Sequence, residues 1–591
     1  MAIDYLLQEF PPVSTELWEE VIRKDLKGAD YATKLIWQTA EGLAVKPYYR
    51  TEDIAGLEYP NAAPGAFPYA RSARATGDWR IREEIDAADP EEANRAAHSA
   101  VLAGAGEIAY RNARFENAAD LEMLLANLEE ISVHFENAGE PQLRLLMAQL
   151  NRQHRQSPVS TGWNPLANLD FAAEIVTDAP PELVPFNIHG EEFEESGATA
   201  VEEVGFTLAA AIAFMAGMQD RKIDVDRVAA SIAFSFSIGA TFFFQIAKLR
   251  AFRMMWAQAV ESFGGTRESA KAHIHARTSR WNETIYAPRV NILRGTTEAM
   301  AAVFGGADSI TVAPFDECYK APDEATRRLA RNTQIILKQE AMLSRVADPG
   351  AGSYCLEVFT DYIARAGWKA MQEIEAVGGY QKAVKNGLIA QALGKSLAAR
   401  EEAITSRRRI VTGTSQHANI TEKALDRVDF SRIFSRRRGT LSYEKLRLHT
   451  EQHVAKGGKN PRVLLAESGD AKMRSARSGF ASNFFACAGF DLTAKRFTSA
   501  ERIAASDADL IVLCSSDAEY LALATEVLAR LKSLKREIPV IIAGNPDSAE
   551  QLRAAGVADF VHLRSNPIEF LTRWQQRLGI KDSSCVLTLQ K

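Results

Sequence analysis

The stretch SIAFSFSIG at residues 231–239 alternates small polar side chains with large apolar ones. Successive side chains of a strand point to opposite faces, so the serines share one face while the phenylalanines and isoleucines share the other. The same alternation recurs in FNIHG at 186–190, AHIHA at 272–276 and DSITVAP at 308–314. We expect each run to be a strand with one bulky apolar face and one small polar face.

Strand-like runs of this kind alternate with helical patterns from about residue 60 to residue 400. Repeated strand–helix units predict a parallel α/β architecture, and their number suits a (β/α)8 TIM barrel. Barrels of this type usually fill their interior with Val, Ile and Leu. If the bulky faces pack on the surrounding helices instead, the interior is hollow and hydrophilic, which suits a long, thin ligand.

A second α/β pattern occupies residues 459–582, where five strand-like runs alternate with five helical ones. This pattern predicts a flavodoxin-like, doubly wound domain. The other predicted segments are an N-terminal arm and helix over 1–35, the barrel over 36–400, a linker over 401–458 and a tail over 583–591. Ser14 is the expected N-cap of the first helix, which we expect to end at Gly28.

The composition and the net charge of the chain limit the kinds of partner that it is expected to bind. The 591 residues are 46% hydrophobic and 25% charged, and the formal net charge of -6 argues against nucleic acid or an anionic membrane as the main partner. The Arg-rich runs at 406–409 and 435–439 are expected to be solvated.

The N-terminus lacks the pattern of a secretory signal, and the five cysteines form no CxxC site, so we expect the protein to lie in a reducing cytoplasm.

Several motifs, in order along nearly the whole chain, are similar to those of the methylmalonyl-CoA mutase family. They are LQEFPPVSTELWEEVIRKDLKGADY at 7–31, KPYY at 46–49, PGAFPYAR at 64–71, WRIRE at 79–83, ESGATAVEEVGFTLA at 195–209, TEAMAAVFGGADS at 297–309, RLARNTQIILKQE at 328–340 and RVADPGAGSY at 345–354. The resemblance implies a coenzyme-A-threading barrel followed by a cobalamin-binding domain. The opening arm most resembles the small, beta-type chain of the heterodimeric bacterial members.

The resemblance also implies catalytic positions in the barrel, and these are changed. Catalytic chains read Ile-Arg-Gln-Tyr-Ala-Gly where this chain reads IREEID at 81–86, so Glu84 stands at the Tyr that sits over the substrate. They read Ser-Gly-Tyr-His where this chain has HGEE at 189–192, which places Glu191 and Glu192 at the Tyr and His. An ionised glutamate only accepts hydrogen bonds, so it cannot donate to a thioester oxygen. We therefore expect no catalytic residue in this chain.

The cobalamin positions implied by the resemblance are changed too. Lys472, Arg474 and Arg477 stand where catalytic chains have the Asp, His and Gly of the Asp-x-His-x-x-Gly signature, whose His coordinates cobalt. Arginine has no lone pair to donate to a metal. The Ser-x-Leu and Gly-Gly signatures become CSS at 514–516 and Gly544-Asn545. We expect this chain to bind no cofactor, with adenosylcobalamin held by a partner, the catalytic large subunit.

Other interpretations of these residues stay open. Arg82, Tyr69 and Arg71 match parts of the family's coenzyme A surface, so the chain could be an acyl-CoA-binding regulatory module. It could also be a stand-alone isomerase with a remodelled site. The acidic cluster that follows His189, and the pair His449 and His453, could be read as metal or acid/base sites. We expect no metal, because the acidic side chains point in several directions and the two histidines lack a third ligand.

Overall fold

The computed structural model describes residues 13–153, 155–435 and 437–580. Residues 1–12 of the predicted arm and the predicted tail at 583–591 lie outside these ranges. The first helix spans Thr15–Asp25 and is capped by Ser14, whose hydroxyl accepts a hydrogen bond from the Leu17 amide, as predicted. A short helix, Tyr31–Leu35, and an antiparallel hairpin of Trp37–Gln38 with Ala44–Val45 lead towards the first domain.

Eight parallel strands close into a barrel, which confirms the predicted fold class. They are β1 (Arg80–Ile85), β2 (Glu107–Tyr110), β3 (Ser132–Phe135), β4 (Val159–Thr161), β5 (Leu183–Val184 and Phe186–His189, on either side of Pro185), β6 (Ile232–Ile238), β7 (His273–Thr278) and β8 (Ser309–Thr311). Each strand pairs with the next along the chain, and β8 pairs with β1. Pro185 divides β5 because proline lacks the N–H that a central strand needs.

Helices surround this barrel and continue beyond it. Those between the strands are Pro90–Leu102, Ala118–Leu125, Glu140–Leu150, Leu169–Asp178, Gly190–Glu195, Ala200–Asp220, Val225–Ala230, Phe242–Ser262 and Val290–Phe304. After β8 come Glu324–Ile335, extended by a π-helical turn Ile336–Glu340, and then Tyr354–Ala376, Tyr380–Lys385 and Leu388–Thr405. Helix Ala200–Asp220 has the length and apolar character of a membrane span, but it is mostly buried against Tyr354–Ala376.

The strand faces are arranged as the alternation predicts. In β6, the Phe234 ring packs on Phe252 and Trp256 of the next helix, with ring centroids 4.7 and 4.9 Å apart. The small polar residues face inward, where Ser235 Oγ accepts a hydrogen bond of 2.6 Å from the Asn187 amide of β5. Bulky side chains therefore hold the helices, and the barrel axis is left to small and polar groups.

The interior is polar, but charged side chains occupy part of it. Arg82 of β1 donates two hydrogen bonds, of 2.9 and 2.6 Å, to one carboxylate oxygen of Glu107 on β2. His275 of β7 pairs with Ser309 of β8 at 2.8 Å. The expectation of a hollow barrel is thus modified, because ion pairs between neighbouring strands fill space that small side chains leave.

The second domain contains five parallel strands, as predicted. They are β9 (Arg462–Glu467), β10 (Asp491–Arg496), β11 (Leu510–Cys514), β12 (Val540–Ala543) and β13 (Asp559–Val561), in the order β10-β9-β11-β12-β13. Its helices are Ala471–Ala486, Ala500–Ala504, Tyr520–Ser533, Ala549–Ala555 and Pro567–Arg577. This strand order is that of the flavodoxin-like doubly wound fold.

The segment between the domains is more buried than its charge suggests. Helix Leu441–Ala455 buries Tyr443 and Leu446 in the same apolar cluster as the second domain, and Phe430–Ser435 packs nearby on the barrel side. The prediction that both Arg-rich runs are solvated is wrong for Arg438, which is buried and bonds Glu444 at 2.8 Å. Charge runs are solvated unless an opposite charge is held nearby, and here the helix supplies one.

A buried ion pair between two barrel helices gives a test of the packing. Lys248 donates to Glu203 at 2.6 Å, and both side chains are fully buried. Replacing Lys248 with methionine leaves an unpaired buried carboxylate, so we expect a loss of about 3–5 kcal/mol in the free energy of unfolding measured with urea. The control Arg365→Ala breaks an exposed pair with Asp361 and should cost at most about 1 kcal/mol. Equal losses in the two variants would contradict the expectation.

Candidate functional site

Five charged side chains form an ion cluster at the carboxyl ends of four consecutive strands. This mouth cluster consists of Glu84, Arg111, Arg277, Arg280 and Glu317, from the ends of β1, β2 and β7 and the loop after β8. Arg277 donates to Glu84 at 2.8 and 3.1 Å and to Glu317 at 2.6 Å. Arg280 donates to Glu317 at 3.1 Å, and Arg111 reaches Glu84 at 3.4 Å.

The electrostatics of the mouth cluster keep its acids ionised. Burial alone would raise the pKa of Glu84, but the guanidinium groups of Arg277 and Arg111 lower it well below its usual range. Burial likewise opposes ionisation of Glu317, yet Arg277 and Arg280 lower its pKa to about 2. Glu84 is therefore a paired carboxylate that accepts hydrogen bonds, and it has no proton to donate to a ligand.

His189 and Glu191 form a second pair, at the end of β5. The His189 ring donates from Nδ1 to Glu191 at 2.8 Å and from Nε2 to the Gly162 carbonyl at 2.7 Å. Burial opposes protonation of this ring, but Glu191 and the carbonyl raise its pKa to about 10. Glu192, at the position predicted for the family histidine, is exposed on the short helix Gly190–Glu195.

The neighbouring glutamates of this helix are used to hold the structure together. Glu194 accepts a hydrogen bond of 2.6 Å from Arg400, and Glu195 accepts one of 2.6 Å from Arg280 of the mouth cluster. Within the described ranges, no group of three or more His, Cys, Asp or Glu side chains is arranged to hold a metal ion. The acidic residues after His189 thus serve as separate ion-pair partners.

Two cavities adjoin the mouth cluster. One of about 130 Å³ lies beside Glu84 and Arg82, and one of about 400 Å³ lies between Arg111, Arg280 and the connecting residues 429–438. The first is smaller than the roughly 300–1,000 Å³ of typical ligand pockets. The larger space is lined by residues that follow the strand ends and by residues of the segment between the domains.

The three residues predicted for a coenzyme A surface have separate partners. Arg82 lies inside the barrel, where its guanidinium pairs with Glu107. Tyr69 is buried, and its hydroxyl donates to the Arg267 carbonyl at 2.5 Å. Arg71 donates to the Ala62 carbonyl at 3.1 Å. These contacts do not bring the three side chains together.

In the second domain, the Glu519 side chain lies at the carboxyl edge of the sheet and connects two of its loops. Its carboxylate accepts hydrogen bonds from the hydroxyls of Ser515 and Ser516, at 2.8 and 2.6 Å, and from the Asp470 amide at 3.1 Å. These bonds lower the pKa of Glu519 to about 2. They tie the loop after β9 to the loop after β11, at the edge where doubly wound folds bind ligands.

The positions predicted to replace cobalamin ligands lie on this edge. Lys472 is exposed on helix Ala471–Ala486, Arg474 donates to the Gly469 carbonyl at 2.6 Å, and Arg477 pairs with Asp517 at 3.0 Å. Asn545 is exposed after β12. A Cβ atom built on Gly469 would approach the Glu519 carboxylate to 2.1 Å, so the loop and this side chain are in close contact.

These residues do not fit cobalamin. The helix that would carry a cobalt ligand presents lysine and arginine, which cannot donate a lone pair when protonated. Glu519 occupies the space against the first loop, and Arg477 lies next to Gly544.

Sequence reasoning missed most of the mouth cluster. Of its five members only Glu84 was predicted, as an ionised group that cannot donate to a thioester, and the structure pairs it with Arg277. A signal for Arg277 was present, because it lies two residues after His275 on the inward face of β7. Arg111, Arg280 and Glu317 follow strand ends, and nothing in local periodicity indicates that they meet.

The His189–Glu191 pair should make stability depend on pH. Because the folded pKa of about 10 exceeds the ordinary 6.5, the stabilisation is complete below pH 6.5 and is lost as the pH rises through about 10. We expect His189→Gln to lower the free energy of unfolding in urea by a few kcal/mol at pH 6.5 and by much less at pH 10.

The control for this test is Asn94→Ala, because the Asn94 amide donates to the Leu124 and Ala126 carbonyls, at 3.2 and 3.1 Å, and an amide does not titrate. Its effect should change little over the same pH range. A His189→Gln effect that stays constant from pH 6.5 to pH 10 would disprove the assigned ion pair.

Comparison with known proteins agrees with this architecture. A family model for methylmalonyl-CoA mutase matches residues 38–115 and 146–456. The chain is 35% identical to the methylmalonyl-CoA mutase small subunit of Porphyromonas gingivalis, over 98% of this chain and 99% of that protein. It is 31% identical to the methylmalonyl-CoA mutase small subunit of Streptomyces virginiae, over 97% and 98% of the two chains. The methylmalonyl-CoA mutase of Escherichia coli is 28% identical over 73% of this chain and 68% of that protein. The resemblance found in the motifs is thereby confirmed, and the chain belongs to the methylmalonyl-CoA mutase family.

Proposed function

We propose that this chain is the non-catalytic small subunit of an adenosylcobalamin-dependent methylmalonyl-CoA mutase. A partner large subunit would bind the cofactor and interconvert methylmalonyl-CoA and succinyl-CoA. The observation that carries the proposal is the mouth cluster, in which Glu84 stands at a catalytic tyrosine position and is held by Arg277 at 2.8 Å. A carboxylate paired in this way cannot donate a hydrogen bond to a thioester oxygen. The arginine that pairs with it is likewise not free to bind the methylmalonyl carboxylate.

The second domain supports the same proposal. Arg474 stands at the position of the cobalt ligand and bonds the Gly469 carbonyl, while Glu519 joins the loops at the carboxyl edge. Both domains keep complete apolar cores although both sites are changed. This is the pattern expected where the scaffold and its surface matter and the pocket does not.

The first helix is the proposed contact with the large subunit. None of its residues is buried, and Leu17, Trp18 and Val21 are 57%, 50% and 59% exposed. Large apolar side chains at these positions share one side of the helix. An amphipathic helix that keeps its apolar side open suits insertion into a groove of another protein. In a symmetric ancestor the two chains would present equivalent patches to each other.

The isolated chain should neither bind cobalamin nor catalyse the isomerisation. We expect adenosylcobalamin to show no spectral shift towards a histidine-ligated form when added to the purified protein. We also expect no turnover of methylmalonyl-CoA by the chain when supplied with cofactor. Saturable cofactor binding near micromolar concentration, or turnover without a partner, would refute the non-catalytic assignment and favour a stand-alone isomerase.

The chain should form a one-to-one heterodimer with a catalytic mutase chain, holding one cobalamin per pair. Co-expression followed by measurement of mass and cofactor content tests the stoichiometry. Deleting residues 1–28 should weaken the complex. So should Leu17→Ser with Val21→Ser, by about 100-fold or more in Kd, because each buried aliphatic side chain contributes about 1.5–3 kcal/mol.

The matched control is Leu102→Ser, which removes an 89% exposed leucine from another helix end and should leave the Kd unchanged. Full affinity after the deletion would exclude the first helix as the contact. Two cobalamins per pair, or no association between the chains, would overturn the subunit assignment itself.

A further inference from the structure

A second hydrogen-bonded set lies in the barrel interior, away from the mouth cluster. Ser160 of β4, His134 of β3 and Glu136 just after β3 are joined in a line. His134 Nδ1 is 2.9 Å from Ser160 Oγ, and His134 Nε2 is 3.2 Å from a carboxylate oxygen of Glu136. The strand register places His134 opposite Ser160, so neighbouring backbones hold the two side chains together.

The ionisation state of Glu136 determines which ring nitrogen of His134 carries a proton. Burial opposes ionisation of Glu136, but the hydrogen bond from His134, with smaller effects of His189 and Arg82, lowers its pKa well below its usual range. An ionised carboxylate only accepts, so His134 Nε2 must carry the proton that Glu136 binds. Nδ1 then holds a lone pair directed at the Ser160 hydroxyl. A serine, a neutral imidazole and a carboxylate in this order are the parts of an activated nucleophile.

We propose that Ser160 is a nucleophile activated by His134 and Glu136, and that it hydrolyses small activated acyl esters or thioesters that enter the barrel. Ser160 is half-buried, and the Glu136 side chain is 41% exposed, so water reaches this part of the interior. His134 is buried, and Arg82 and burial both lower its pKa, which keeps the ring neutral and able to accept a proton.

The reaction balances with water as the second reactant. Ser160 Oγ attacks the acyl carbon while its proton passes to His134 Nδ1. The carbon–oxygen or carbon–sulfur bond breaks, and His134 protonates the leaving group, which leaves an acyl-Ser160 ester. Water then attacks this ester, giving its proton to His134, and the carboxylic acid departs as Ser160 regains its hydrogen.

The barrel contains a matched control for this arrangement. Ser309 and His275 form a serine–histidine pair of the same kind, 2.8 Å apart on neighbouring strands. Ser309 is only 1% exposed, and in the described part of the chain no hydrogen bond joins a carboxylate to His275. The proposed reactivity therefore belongs to Ser160 and not to Ser309.

The test treats the full-length purified chain with a fluorophosphonate probe and, separately, with p-nitrophenyl acetate. We expect mass spectrometry to find the phosphonate on Ser160. Ser160→Ala should abolish labelling, His134→Gln and Glu136→Gln should slow hydrolysis of the acetate by about 100-fold or more, and Ser309→Ala should change neither. Thermal unfolding of each variant shows whether it is folded.

Each result decides the matter. Labelling confined to Ser160 with the expected variant pattern supports the proposal. A folded wild-type chain that is not labelled, a label on another residue, or equal hydrolysis by folded Ser160→Ala overturns it. Since these assays need neither the large subunit nor cobalamin, their failure would leave the subunit proposal untouched.

Discussion

The need to pair charges inside a closed barrel is the constraint on which this structure depends. A lone ionised group in a poorly solvated interior is costly, so buried charges persist when opposite charges and hydrogen bonds surround them. Here Arg82 pairs with Glu107, and Glu84 pairs with Arg277, across neighbouring and near-neighbouring strands. The apolar residues can then lie on the outer faces of the strands and pack on the helices, because paired charged side chains fill the interior.

The same pairing makes the charged residues at the barrel mouth part of the packing. A glutamate at position 84 would destabilise an empty barrel, yet Arg277, Arg111 and Glu317 make it part of a network. Glu84 thereby has a structural role at the mouth, as the partner of two arginines. In the second domain, Glu519 has a similar structural role. Its carboxylate accepts hydrogen bonds from backbone and hydroxyl groups of the loops at the edge of the sheet.

The barrel interior contains two serine–histidine pairs that differ in their surroundings. His134 and His275 are both buried next to a serine, but only the first has a carboxylate on its far nitrogen among the described contacts. The difference arises from Glu136, one step beyond the end of β3, where the strand gives way to a loop. Barrel ends collect such residues because successive loops meet there.

The sequence by itself determined the faces of the strands, the two α/β domains and the family. Alternation in 231–239 is a local property, since side-chain direction depends on position within one strand. The replacements expected at Glu84 and Arg474 were likewise inferred one residue at a time, from the motifs around each position. The predictions of the fold class and of the family are confirmed, because each rests on neighbours in the chain or on motifs in order, while the replacements stay predictions.

Only the tertiary structure decided which charges meet. Glu84 and Arg277 are 193 positions apart, and Arg400 reaches Glu194 across 206 positions. The burial of Arg438, which the sequence predicted to be solvated, follows from helix Leu441–Ala455 supplying Glu444. Such contacts depend on barrel closure, strand register and domain packing, and none of these is encoded in the periodicity of a single segment.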